Sequence, residues 1–184
     1  NPVLTPDRGT LLWGSLERGR GGIWRARADG SGAAPLIRGQ ALQLPEVSPD
    51  GRWVAFREGI GTGPRAIRVV RLADGAEVAA VVLAEVVDAV TAGESGRPRW
   101  MTDGRLAFVG VDEQGLTGIF AQEVVAGADT TATRRRLGGF DPTLAAESFA
   151  ISPDGAALII AARESLSSVV LAEPVAGAPK PRRP

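Results

Sequence analysis

Apolar residues in this chain gather into short runs of about four to eight positions, closed off by Gly, Pro and Asp. Trp53-Val-Ala-Phe56, Leu106-Ala-Phe-Val109 and Leu158-Ile-Ile160 are nearly unbroken, the pattern of strands covered on both faces. A loop and a second β-rich run follow each of them. These runs are Arg65–Leu72, Gly118–Val124 and Ser167–Leu171, and Gly22–Arg27 is a fourth of the same kind nearer the N-terminus. Ala28-Asp-Gly-Ser-Gly32 and Ala73-Asp-Gly75 then read as hairpin turns. Further strands are predicted near Pro35–Ile37, Glu77–Leu83 and Thr133–Leu137, and Pro2–Leu4 suits an innermost first strand. No segment sustains capped helical spacing, except that Val78–Val90 leaves it open. The expected fold class is all-β.

The runs belong to a repeat. Val47-Ser-Pro-Asp-Gly-Arg-Trp-Val-Ala-Phe56 returns as Ile151-Ser-Pro-Asp-Gly-Ala-Ala-Leu-Ile-Ile160. Trp100-Met-Thr-Asp-Gly-Arg-Leu-Ala-Phe-Val109 is a degenerate copy, and Leu4-Thr-Pro-Asp-Arg-Gly-Thr-Leu-Leu-Trp13 a poorer one. Their aspartates, Asp7, Asp50, Asp103 and Asp154, recur at intervals of roughly 40 to 55 residues, near one propeller blade plus loop insertions. Ser-Pro-Asp-Gly suits a tight turn: Pro presets φ and Gly accepts the last position. The carboxylate can accept bonds from nearby backbone amides. The motif residues Ser48, Pro49, Asp50, Gly51, Asp103, Gly104, Ser152, Pro153, Asp154 and Gly155 are therefore assigned a structural role. The repeat divides the chain into blades at 1–40, 41–86 and 87–139, an incomplete one at 140–176, and a disordered Pro/Arg tail at 177–184.

Ser-Pro-Asp-Gly before an apolar strand, with Ile23-Trp-Arg-Ala-Arg-Ala-Asp-Gly-Ser-Gly32, resembles the PD40-type repeats of TolB-like and WD40-like β-propellers. It is similar also to propeller modules appended to bacterial serine/threonine kinases. The resemblance covers about residues 1–173. It implies a β-propeller of about four recognisable blades, and a periplasmic or otherwise extracytoplasmic location. It brings no catalytic motif, and the kinase signatures are missing. Four blades with an incomplete last one make an uncomfortable ring. The edge beside Ser167–Leu171 would invite pairing. The expectation is a longer propeller, or one completed by a partner.

Composition then narrows the chemistry. The 184 residues contain no Cys, His or Tyr and one lysine, Lys180. Thiol nucleophiles, disulfides and imidazole bases or ligands are excluded. With 21 basic and 21 acidic residues, net charge favours neither nucleic acid nor an anionic membrane. No apolar run is long enough to span a bilayer. Asn1-Pro-Val-Leu-Thr lacks a signal-peptide layout, which predicts a processed or truncated chain. Gly59-Ile-Gly-Thr-Gly63 lies between strands, so no helix N-terminus is expected behind it to receive phosphate.

Trp13 and Trp53 share the strand after the turn and are expected to pack between blades, whereas Trp24 and Trp100 are better placed to line a surface. Arg134, Arg135 and Arg136 read as solvated loop charge, with an acidic partner surface as the alternative. The expected function is a non-enzymatic module for protein–protein binding or scaffolding, without cofactor or metal, possessing a protein partner. A ligand-sensing or gating domain of a longer enzyme such as a kinase or peptidase stays open, as does carbohydrate or peptide binding.

Overall fold

The computed structural model describes residues 2–58, 66–82, 97–152 and 155–164. They form fourteen strands and one 3-10 turn, Thr131–Thr133. The first sheet holds β1 (Val3–Leu4), β2 (Thr10–Ser15), β3 (Gly22–Arg27) and β4 (Ala34–Arg38). The second holds β5 (Leu42–Val47), β6 (Trp53–Glu58), β7 (Ala66–Arg71) and β8 (Glu77–Val82). The third holds β9 (Arg99–Trp100), β10 (Leu106–Val111), β11 (Thr117–Gln122) and β12 (Arg135–Gly139). The fourth has β13 (Leu144–Ile151) and β14 (Leu158–Glu164). Strands in every sheet run antiparallel in chain order, and among the described residues the four sheets are not closed into a ring.

Three apolar layers hold the stack together, one between each pair of consecutive sheets. Leu12, Ile23 and Leu36 of the first sheet meet Leu42, Val47, Val54, Phe56 and Val70 of the second. Ala55, Ile67, Val69 and Val81 then meet Leu106, Phe108 and Phe120 of the third, with Trp53 and Trp100 at the margin. Ala107, Val109 and Ile119 meet Ala146 and Phe149 of the fourth. Alternate residues of one strand thus enter different layers, as period-two geometry requires. Val54 and Phe56 face back while Ala55 faces forward. Unbroken apolarity in Trp53–Phe56 and Leu106–Val109 is the direct consequence: both faces are covered.

Backbone contacts add to these layers. Arg25 Nη1 reaches from β3 to the carbonyls of Leu72 and Ala73, at 2.6 and 3.1 Å. At Gly75 (φ +75°) a Cβ would stand 2.4 Å from the Leu36 carbonyl oxygen. Only glycine satisfies both the turn and this approach between sheets.

Several expectations shift in detail. The strand predicted near Thr133–Leu137 begins at Arg135, because Thr131–Thr133 forms the 3-10 turn. Of the strands leading into the motif turns, β5, β9 and β13 had no separate prediction. β5 carries Pro45 and Glu46 and a positive φ of 53° at Leu44, where its register with β6 shifts. β13 is rich in alanine and contains another shift, between Ala146 and Ser148. Irregular strands of this kind blur the alternation that would reveal them. The run Ser167–Leu171, the loop Gly59–Gly63, residues 83–90, Pro153, Asp154 and the tail lie outside the described residues.

Candidate functional site

A small network closes the motif turn, complete in the second copy. The amide of Gly51 bonds the Ser48 carbonyl, and the amide of Ser48 bonds the Trp53 carbonyl. The Ser48 hydroxyl accepts from the Trp53 amide at 2.9 Å and donates to Asp50 Oδ1 at 2.6 Å. Asp50 Oδ1 also accepts from the Arg52 amide at 3.0 Å. The first copy repeats this with Thr5, Asp7 and the amides of Gly9 and Thr10. In the fourth copy the Ser152 hydroxyl accepts from the Ala157 amide at 2.8 Å.

The third copy departs from the others. Met101 stands where they have a hydroxyl, and its amide bonds Arg105, four residues on, instead of five. One residue is missing from that turn. Leu106 therefore takes the place of Val54, and Phe108 that of Phe56, one step off the alignment Trp100–Val109 against Val47–Phe56. Without this slip every side chain of β10 would face the wrong layer.

The turn aspartates are held as carboxylates. The Ser48 hydroxyl, followed by the Arg52 amide, lowers the Asp50 pKa to about 2. Asp7 is lowered by the Thr5 hydroxyl, and Asp103 by the Arg105 guanidinium. Arg52 and Arg105 pair with their own aspartates at 2.6 and 2.7 Å. Asp7, Asp50 and Asp103 each serve their own turn; among the described residues no group of three or more acidic side chains is placed to hold a metal.

Between the second and third sheets, at the end bearing these turns, lies a groove of about 730 Å³. Ser48, Pro49, Asp50 and Arg52 form one wall, and Thr102, Asp103, Gly104 and Arg105 the other. Trp53, Trp100, Val78 and Val124 supply apolar surface, with Glu123 and Val125 at the rim. The loop carrying Val125 is anchored across the sheets by a bond from the Gly127 amide to the Val78 carbonyl, 3.0 Å. Val125 itself is 47% exposed. The groove offers two indoles, aliphatic surface and the Asp50–Arg52 and Asp103–Arg105 ion pairs.

Deeper between the same sheets, Glu46 on β5 faces Arg99 Nη1 at 3.2 Å and Arg97 Nη1 at 3.7 Å. The Trp100 indole N–H donates to the Glu46 carbonyl at 3.3 Å. Burial raises the Glu46 carboxyl above its ordinary value, against the pull of both arginines. The sequence reading passed over this cluster, because nothing in the spacing of Glu46 and Arg99 announces that their strands are neighbours.

The residues proposed as a partner surface fall in different places. Trp100 is half-buried in the second layer and borders the groove. Trp24 lies instead on the outer face of the first sheet, stacked on Trp13 with centroids 6.3 Å apart. Arg134 is drawn inward: its Nε donates to Gln122 Oε1 at 2.9 Å, and its guanidinium lies 5.2 Å from the Phe108 ring. Arg136 pairs with Asp112 at 3.1 Å and covers Phe140 at 3.8 Å. Arg135 is exposed on β12. The three arginines do not form one basic patch.

Stacked antiparallel sheets in chain order give the chain the fold of a β-propeller. The fold is that of TolB and of propellers attached to peptidases. TolB from Acinetobacter baumannii is 22% identical, with a TM-score of 0.63 over 91% of this chain and 38% of that one. A prolyl endopeptidase matches at 14% identity and TM-score 0.60, over 87% of this chain and 25% of its own. The β-propeller domain of the trilobed protease from Pyrococcus furiosus, described with an open velcro topology, matches at 11% and 0.52, over 79% and 45%. No protein-family model and no curated sequence matches the chain. Identities this low establish fold alone, and the chain spans less than half the length of each of these three structures. No helix among the described residues is long and apolar enough to cross a membrane.

Proposed function

We propose that this chain is a non-enzymatic propeller module for protein–protein binding or scaffolding, with the groove between the second and third sheets as its recognition surface. On this reading residues 1–40, 41–86, 87–139 and 140–176 are blades, the last incomplete. The observation that carries it is the groove itself. It joins aromatic and aliphatic surface to a polar rim, the composition of a protein-binding patch, and rigid sheets hold it through the motif turns. The absence of Cys and His from the whole sequence supports the non-enzymatic part. The TolB resemblance supports an extracytoplasmic location. A second reading, a gating domain of a longer enzyme, draws on the peptidase propellers of similar fold.

Photocrosslinking in the native source tests the proposal. A photoreactive residue placed at Thr102 or Val125 should trap a defined protein partner, and the same residue at Arg135 should not. Equal trapping from all three positions, or none from the groove, would reject the groove as the recognition surface. An adduct to a catalytic domain of the same polypeptide would favour the gating reading.

A further inference from the structure

The two turns that wall the groove between the second and third sheets keep their backbone amides for themselves. In one turn the amides of Ser48, Gly51, Arg52 and Trp53 all bond locally. In the other, the amides of Met101, Gly104 and Arg105 do the same. Nearby, the Val78 carbonyl of β8 accepts from the Gly127 amide at 3.0 Å. These turns leave no run of free amides for an added strand to pair with. Whatever enters the groove must be held by side chains.

Two of the lining side chains are open. The Trp53 indole N–H has no acceptor among the described residues and is accessible to solvent, whereas the Trp100 N–H is taken by the Glu46 carbonyl. Of the charged groups in the lining, Arg52 and Arg105 are neutralised by Asp50 and Asp103. Glu123 is exposed, and its carboxylate is near enough to act on the Arg105 guanidinium. It forms no ion pair of its own among the described residues, so the described lining carries an excess of negative charge.

We infer that the groove takes an extended, proline-rich segment of a protein partner, with a lysine or arginine of that segment set against Glu123. The inference rests on the groove being the recognition surface, as proposed above, and adds the chemistry of what it recognises. A polyproline II segment has no internal hydrogen bonds, so its carbonyls are free to accept from the Trp53 N–H. A helix keeps its carbonyls for its own amides and would leave that donor unmet. Proline lacks the amide that would need a strand edge, and its preformed backbone docks in aromatic-lined grooves with little ordering left to do. The excess negative charge of the lining selects a cation on the segment.

Fluorescence anisotropy of the 184-residue chain with three labelled peptides tests this. The first repeats Pro-Pro-Lys, the second has Glu for each Lys, and the third has Thr for each Pro. The proline–lysine peptide should bind about tenfold more tightly than either of the others. Trp53→Phe keeps a ring and removes the donor, and should weaken that peptide by about threefold to tenfold, the effect of one neutral hydrogen bond. Glu123→Gln should erase most of the preference for Lys over Glu, and Arg135→Gln should leave binding unchanged. Far-UV circular dichroism checks folding, and the exposed Glu123→Gln carries the test if Trp53→Phe does not fold. No binding of the proline–lysine peptide, equal binding of all three, or unaltered selectivity in Glu123→Gln would overturn the inference, whatever the photocrosslinks show. The groove as recognition surface falls only if crosslinking from Thr102 and Val125 fails. Binding that emerges only once residues 177–184 are removed would make the chain's own Pro/Arg segment the occupant and overturn the assignment to a partner.

Discussion

Ser48→Ala removes one oxygen atom and should lower stability by about 2 kcal/mol. The magnitude follows from what the hydroxyl does. Ser48 is 2% exposed, and its hydroxyl both accepts from the Trp53 amide and donates to the Asp50 carboxylate. A hydrogen bond to a charged group contributes about 1.5–3 kcal/mol, and a buried amide left without its acceptor costs about 1–3 kcal/mol. The two do not add in full. The Asp50 side chain is 43% exposed, so water can replace the lost donor, and Arg52 still pairs with it. A loss of about 2 kcal/mol lowers Tm by about 4–8 °C for a domain of this size. Ser48→Thr should restore nearly all of it, because Thr5 makes the same bonds in the first copy. Urea unfolding followed by tryptophan fluorescence and thermal circular dichroism measure both variants. A Ser48→Ala protein as stable as its parent, or a Ser48→Thr protein as damaged as Ser48→Ala, would refute the capping role. Parental stability with lost partner binding would make the motif a recognition element instead.

The remaining expectations concern single contacts. Asp50 titrates at about 2 in the folded chain against about 3.9 unfolded, so the stability it contributes is complete above its unfolded value and lost as pH falls through about 2; Asp50→Asn should flatten that part of the acid-unfolding curve. Gly75→Ala combines positive φ with a Cβ driven into the Leu36 carbonyl and should cost roughly 2–4 kcal/mol, with amide exchange rising first in β4. Arg134→Ala leaves Gln122 Oε1, in a residue 1% exposed, without the guanidinium. It should lower stability by about 1–3 kcal/mol in denaturant titration; loss of partner binding at unchanged stability would return Arg134 to the surface role read from sequence.

What could be read in the sequence was local. The motif turn closes within five residues, so the side chains that make it lie side by side in the text: Ser48, Asp50 and Arg52 declare the turn before any fold is known. The apolar strands behind it are legible for a related reason, since covering both faces removes the polar half of the alternation. β5 and β13 lack that clarity because each contains a register shift that breaks the period. The missing turn residue before β10 escaped detection because Asp103-Gly-Arg105 matches Asp50-Gly-Arg52 letter for letter. Only the bond from Met101 to Arg105 shows that the strand starts one step early.

The candidate site was the least legible part, since it is made of contacts between strands far apart in sequence. Trp100 and Trp53 line one groove although one precedes its turn and the other follows it. Arg134, Arg135 and Arg136, consecutive in the chain, part company because β12 alternates and because Gln122 offers Arg134 an inward acceptor. Trp24 shows how position in the stack decides a role. Its counterpart Phe120 is 7% exposed and packed in a layer, while Trp24, in the same cross-strand place, lies half-open on the first sheet. The strand and pairing are the same; what differs is whether a preceding sheet is there. A tryptophan in that place is a surface residue for this chain alone and a core residue once a neighbour arrives, and that dependence on a neighbour is written in no residue near it.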